Sequence, residues 1–182
     1  IVFGDWSSDV CSSDLNFTVE LVTPEKFSLP DVEENGKTYL ENAIIKATAF
    51  SKATGLVCLA DDTGLEVEAL QNRPGIYSAR FGGVIGKGRY EANNKKLLDE
   101  LKNTSEERRN AKFVCVVALV YGEKVLLSVE GFCKGKILNA QRGKNGFGYD
   151  PLFEVDGLGK TFAELDDEKK NQISHRDRKS VV

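Results

Sequence analysis

Leu56-Val57-Cys58-Leu59-Ala60-Asp61-Asp62-Thr63-Gly64-Leu65 is the stretch on which the fold of this chain turns. Five small or apolar residues in a row predict a buried strand, and the run stops at two carboxylates, a hydroxyl and a glycine. Successive strand side chains face opposite sides, so Asp61 and Asp62 share a direction only if the strand ends before them. One acid then faces a ligand and the other braces a neighbour. At the carboxyl end of a strand in an α/β protein, where ligands commonly sit, hard oxygen ligands suit Mg²⁺. An Asx turn capping the next element is the alternative.

Upstream, Phe17 to Val22 alternates as a strand does, and Leu29-Pro30-Asp31 breaks it. An acidic loop with Asp31, Glu33 and Glu34 runs to Gly36, and Thr38 with Glu41 three residues on has the form of a capping box. Leu40, Ala43, Ile44, Ala47 and Phe50 or Ser51 keep helical spacing, which leaves Asn42 and Lys46 together on another, polar face. A lysine there is solvated, or it serves the acids that follow.

Downstream, Leu65, Val67 and Ala69 alternate with Glu66 and Glu68 as a second, half-exposed strand, and Gln71 to Gly75 turns it. Gly82 to Gly88 superficially resembles a Walker loop but lacks its first glycine and its Ser or Thr. Tyr90, Asn94, Leu97, Leu98 and Leu101 outline an amphipathic helix. Ala111 to Tyr121 is the strongest strand candidate, and a short loop at Gly122-Glu123-Lys124 returns it through Val125 to Phe132. Part of the sheet is therefore antiparallel, and a purely parallel dinucleotide fold is disfavoured.

The segment Arg142-Gly143-Lys144-Asn145-Gly146-Phe147-Gly148-Tyr149-Asp150-Pro151 has no core periodicity. Aromatics flanked by glycine suit a platform for a flat base, while exposed backbone amides can approach phosphate; a tight connection is the other reading. Asp166 caps a short helix carrying Lys169 and Lys170, and Ser174-His175-Arg176 holds the only histidine.

A length of 182 residues predicts one domain or two intimate lobes. The four cysteines show no CxxC spacing, and Cys58, Cys115 and Cys133 lie in apolar runs, so buried thiols in a reducing, cytoplasmic setting are expected rather than disulfides or a metal site. No apolar stretch reaches the ~20 residues of a spanning helix, which predicts no membrane partner. A net charge of -3 argues against general nucleic-acid binding, which is driven by a basic face. Methionine is absent and residues 1–15 contain a crude Ser-Ser-Asp duplication, so this stretch is read as a non-native addition. The domain proper is read as residues 16–176, followed by an atypical tail, 177–182.

Five motifs now stand in order: Glu41 to Ala47, Ala60 to Leu65, Pro74-Gly75-Ile76-Tyr77-Ser78-Ala79-Arg80, Gly146 to Pro151, and Ser174-His175-Arg176. Together they resemble the non-canonical purine NTP pyrophosphatases, the inosine triphosphatase or HAM1-like family. The resemblance implies an elongated, two-lobed α/β fold with a long mixed sheet flanked by helices and a central nucleotide cleft, usually in a homodimer. It implies Mg²⁺-dependent hydrolysis of ITP, dITP and XTP to the monophosphate and pyrophosphate. By the same resemblance Asp62 is general base and metal ligand, Asp31 a second metal position, and Lys46 a cation near the phosphates. Thr63 replaces the family's usual Ser. Phe147, Gly148, Tyr149 and Asp150 match the base-binding segment, and Lys170, His175 and Arg176 its other wall. The family's opening Thr-x-Asn-x-x-Lys loop has no counterpart here, which keeps open a nucleotide-binding chain without turnover.

Overall fold

The computed structural model describes residues 26–173 together with Val2–Phe3, Glu20 and residues 22–23. Of the expected strand at Phe17 to Val22 only Glu20 and Val22 are described, and both His175 and Arg176 lie outside the described residues. In order, the elements are β1 (Val2–Phe3), α1 (Tyr39–Thr54), β2 (Cys58–Val67), β3 (Arg73–Gly75), α2 (Arg89–Leu101), β4 (Asn110–Tyr121), β5 (Lys124–Ile137), β6 (Phe153–Val155) and α3 (Asp167–Ile173). Strand order is β1-β2-β4-β5-β6, with β3 also paired to β2. The sheet is mixed, as expected: β1 lies parallel to β2, whereas β3 on β2 and β6 on β5 are antiparallel. Among the described residues no helix is long and apolar enough to cross a membrane.

The strand of the opening stretch does not end at the acids. β2 begins at Cys58 and carries Asp61, Asp62 and Gly64 within it, continuing to Val67. Leu65 and Val67 therefore belong to the same strand rather than to a second one, and Glu68–Leu70 is a single 3-10 turn. A carboxylate can sit inside a strand when a neighbouring element supplies its hydrogen bond, and a local reading cannot see that neighbour. The expected turn from Gln71 to Gly75 contains a short strand, in which Arg73, Pro74 and Gly75 pair with Val67, Glu66 and Leu65.

The first helix starts where its cap predicts, but the box is incomplete. Thr38 Oγ1 accepts from the Glu41 amide at 3.1 Å, while the Glu41 carboxylate reaches past Thr38 to the Lys37 amide at 2.6 Å. Its buried positions are Asn42, Ala43, Ala47 and Ser51, so Asn42 is not on a polar outer face as its chemistry suggests. The α1 stripe of small residues lets helix and sheet approach closely: Ala43 and Ala47 pack with Ala60 of β2 and with Ala118 and Val120 of β4.

The described chain divides into two compact units, one reaching to Asp62 and including Val116–Val129, the other comprising Thr63–Cys115 and the chain from Glu130 onward. The alanine cluster is the core of the first. The second has a larger core of Leu65, Val67, Leu97, Leu101, Ile137 and Leu152, with Phe113, Phe153 and Phe162 in contact at centroid distances of 4.7 to 5.7 Å, Phe153 and Phe162 stacked and Phe113 tilted against both. Aromatic clusters of this geometry contribute beyond their buried area. Cys58, Cys115 and Cys133 are buried free thiols, as their apolar runs predict.

Candidate functional site

In the first unit the acids are organised by α1. Strand alternation puts Cys58, Ala60 and Asp62 on one face, and Ala60 packs under the helix. Thr54 Oγ1 lies 3.5 Å from Cys58 Sγ, and Asn42, three turns earlier, donates from Nδ2 to Asp62 Oδ2 at 2.9 Å. Helix and strand thus run antiparallel, bringing the first turn of α1 to Asp62. Asp61, its neighbour, points to the opposite face; both acids are buried, at 7% and 8% exposure.

Asn42 has a second task. Its Oδ1 accepts from the Gly36 amide at 2.8 Å, which fastens the acidic loop to the helix that holds Asp62. Gly36 is required there, because a Cβ would stand 2.6 Å from that same oxygen and 2.8 Å from Glu41 Cβ. One turn along α1, Lys46 Nζ pairs with Glu34 Oε1 of the loop at 3.0 Å. Glu34, Asn42, Lys46 and Asp62 therefore form one polar constellation, whereas Asp31 is exposed at the start of the loop. Among the described residues no three acids, cysteines or histidines gather closely enough to cage a metal. That donor set fits Mg²⁺ nonetheless, since this ion is commonly held by one or two carboxylates plus substrate phosphates.

The second unit carries the glycine-rich segment. Gly143 has φ +85°, and its missing Cβ leaves room for the backbone of Ala163, whose carbonyl accepts from the Lys144 and Asn145 amides at 3.0 and 3.1 Å. Gly146 has φ +73° and lies against the Asp150 carboxylate. That carboxylate, 5% exposed, accepts from the Phe147 amide at 2.9 Å and from Lys170 Nζ at 2.7 Å. Asp166 caps α3 by accepting from the Lys169 amide at 2.8 Å, and Lys170 follows in the last turn of this short helix. The Lys170 ammonium also stands 4.9 Å from the Phe147 ring centroid, a cation-π distance.

The two aromatics of the segment separate. Phe147 is 53% exposed, while Tyr149 is 5% exposed and donates its hydroxyl to Ser78 O at 2.9 Å. Burial pushes the Tyr149 phenol well above its ordinary value. Phe147, Gly148, Asp150 and Lys170 are thus brought together, with Tyr149 as an anchor beneath them. Thr63 opens the second unit in β2, half-buried. A separate cavity of about 360 Å³, lined by Arg73, Pro74, Tyr77, Arg80, Phe81 and Lys96, contains none of these residues.

Two contributors escape a reading by residue type: Asn42 and Ser78. Asn42 stands inside the Glu-Asn-Ala motif and Ser78 inside Tyr77-Ser78-Ala79-Arg80, so motif membership rather than polarity is the signal that finds them.

Residues 9–179 match the Ham1 family. A dITP/XTP pyrophosphatase from Prochlorococcus marinus (strain NATL1A) is 53% identical over 162 residues, 88% of this chain and 78% of that protein. One from Bacillus anthracis is 46% identical over 152 residues, 82% of this chain and 74% of that protein. Among solved structures, a HAM1 protein from Coxiella burnetii has a TM-score of 0.85 and 40% identity, covering 96% of this chain and 91% of its own. The Staphylococcus aureus Ham1 protein has a TM-score of 0.77 and 45% identity, covering 86% and 80%.

Proposed function

The chain belongs to the Ham1 family, and from that premise we propose that it is a nucleoside-triphosphate pyrophosphatase. It hydrolyses dITP, XTP and ITP to the monophosphate and pyrophosphate, removing non-canonical purines from the nucleotide pool. The observation that carries this reading is the 53% identity, over most of both chains, to a dITP/XTP pyrophosphatase.

In this reading Asp62 and its neighbours handle the phosphates. Asp62 accepts the proton of the attacking water as it adds at the α–β anhydride, and the bond to the pyrophosphate leaving group breaks. Asn42, donating to one oxygen of Asp62, fixes the carboxylate's orientation. Lys46, held by Glu34, supplies positive charge for the departing pyrophosphate. Asp62 and Asp31 would hold Mg²⁺, which when bound neutralises phosphate oxygens. Thr63 offers a hydroxyl to the substrate.

The glycine-rich segment reads the base. Phe147 supplies a stacking face, and the Gly148 backbone and Asp150 shape the segment around it. Lys170, with His175 and Arg176 as the family resemblance implies, donates to the 6-oxo group of hypoxanthine or xanthine. Adenine, with an amine there, is left badly paired, and a hydrogen-bonding site rejects such an analogue by ~10⁴ or more. The three buried free thiols support a cytoplasmic setting, and the family resemblance a homodimer.

The test is pyrophosphate release from ITP, dITP, XTP, ATP and GTP with and without Mg²⁺. Release from the oxo purines, lost with EDTA and in Asp62→Asn, is expected. Nucleotide-stabilised melting without any release would select a binding protein instead.

A further inference from the structure

We infer that Asn94, on the buried face of α2, is a positioning residue that sets the base-binding segment and so governs affinity for the purine. The inference rests on the proposed function and concerns the same segment, but it adds a residue that touches neither base nor phosphate.

Asn94 is 4% exposed and donates from Nδ2 to Gly148 O at 3.0 Å. Gly148 has φ +61°, and a Cβ built there would meet nothing within 4 Å. Tyr149 anchors the chain on one side of this peptide, and the Asn94 amide holds the Gly148 carbonyl itself. One turn earlier on the same helix, the Tyr90 ring lies 6.3 Å from the Phe147 ring, tilted by 39°. Two successive turns of α2 thus brace the two residues at the exposed tip of the segment.

The helix is itself fixed. Adjacent Asn93, 2% exposed, accepts from the Gly82 amide at 2.6 Å and donates to Ser78 O at 3.1 Å. Ser78 O is the same carbonyl that takes the Tyr149 hydroxyl. Position 94 is consequently set by a frame independent of the Gly148 contact.

Folding alone does not account for an amide at this position. Asn94 Oδ1 is buried with no hydrogen-bond partner among the described residues, a cost that an apolar side chain of similar shape avoids. What the side chain gives in return for that cost is its bond to Gly148 O.

This gives a test in which a structural role and a positioning role diverge. Asn94→Leu removes an unsatisfied oxygen but also the donor to Gly148 O, and is expected to melt close to the unsubstituted chain, yet raise KM for ITP about five- to tenfold, the order of one lost hydrogen bond. Its kcat stays within about twofold. In a Phe147→Ala background the same substitution adds no further rise in KM, because the segment's stacking face is already gone. The ITP dissociation constant, measured by calorimetry on both chains, reads the same shift without turnover. An unchanged KM and dissociation constant, additive effects with Phe147→Ala, or a lowered melting temperature at unchanged KM would each overturn the assignment. Absence of pyrophosphate release from the unsubstituted chain would instead overturn the proposed function, leaving the binding measurement to decide the role of Asn94.

Discussion

The buried amide of Asn42 joins two segments at once, donating to Asp62 at 2.9 Å and accepting from Gly36 at 2.8 Å. A bifunctional, 1%-exposed side chain has few tolerated replacements. Asn42→Ala leaves the Gly36 amide and one Asp62 oxygen without this partner, and is expected to cost about 1–3 kcal/mol in urea denaturation. Asn42→Asp puts a second carboxylate against Asp62 and is expected to slow pyrophosphate release further than Asn42→Ala does. Asp62→Asn keeps the shape and removes the base. Its kcat is expected to fall by roughly 10²–10⁴, the usual range for a general base, with the fold intact by circular dichroism.

How much of this was legible beforehand follows from the same residues. The helix at Tyr39–Thr54 announces itself through Thr38 and its alanine spacing, and the antiparallel part of the sheet through the turn at Gly122-Glu123. Those are local signals. The burial of Asn42 is not local: its polarity assigns it to solvent until Asp62, twenty positions later, becomes its neighbour. The continuation of β2 through two acids is hidden for the same reason, since each acid is tolerated by a contact that strand propensity does not encode. The flanking glycines mark the segment from Arg142 to Pro151 as irregular backbone, and the structure has no helix or strand there before β6. Only burial separates exposed Phe147 from Tyr149, whose hydroxyl is tied to Ser78, 71 positions away.

Lys46 and Glu34 form a partly exposed pair at 3.0 Å, with side-chain exposures of 21% and 32%. Such pairs contribute little to stability, on the order of 0–1 kcal/mol, so Lys46→Ala should barely move the urea midpoint. Activity should respond very differently: loss of a cation at a developing phosphate charge is expected to lower kcat about 10²-fold or more. Glu34→Gln releases the lysine without removing it and is expected to cost less than Lys46→Ala. Steady-state kinetics on the two variants, set beside their denaturation curves, makes the comparison.

Lys170 stands between Asp150 and the Phe147 ring, so its removal tests discrimination as well as binding. Lys170→Met is expected to lower kcat/KM for ITP at least tenfold while leaving that for ATP nearly unchanged, since adenine has no 6-oxo group to accept from the ammonium. The same variant strips a buried carboxylate of its cation and is expected to be less stable. Pairing it with Asp150→Asn relieves that cost, and the double variant should regain stability without regaining preference for ITP. Recovery of selectivity in the double variant would remove Lys170 from base recognition.

Tyr149 supplies a pH signature for the anchoring of the segment. Its buried phenol is pushed far above the ordinary value of about 10, so the folded chain keeps this proton where the unfolded chain releases it. A folded-state value above the unfolded one contributes stability that is complete below the unfolded value and declines as pH rises beyond it. Above about pH 10 the decline should amount to ~1.4 kcal/mol per pH unit for this one group. Tyr149→Phe has no such proton. It is expected to be less stable at pH 7, having lost the hydrogen bond to Ser78 O, and to show a shallower fall in stability between pH 10 and 11. Urea midpoints at half-unit intervals for both chains provide the measurement. Parallel slopes would mean that the phenol titrates normally and does not tie the base segment to the Ser78 carbonyl.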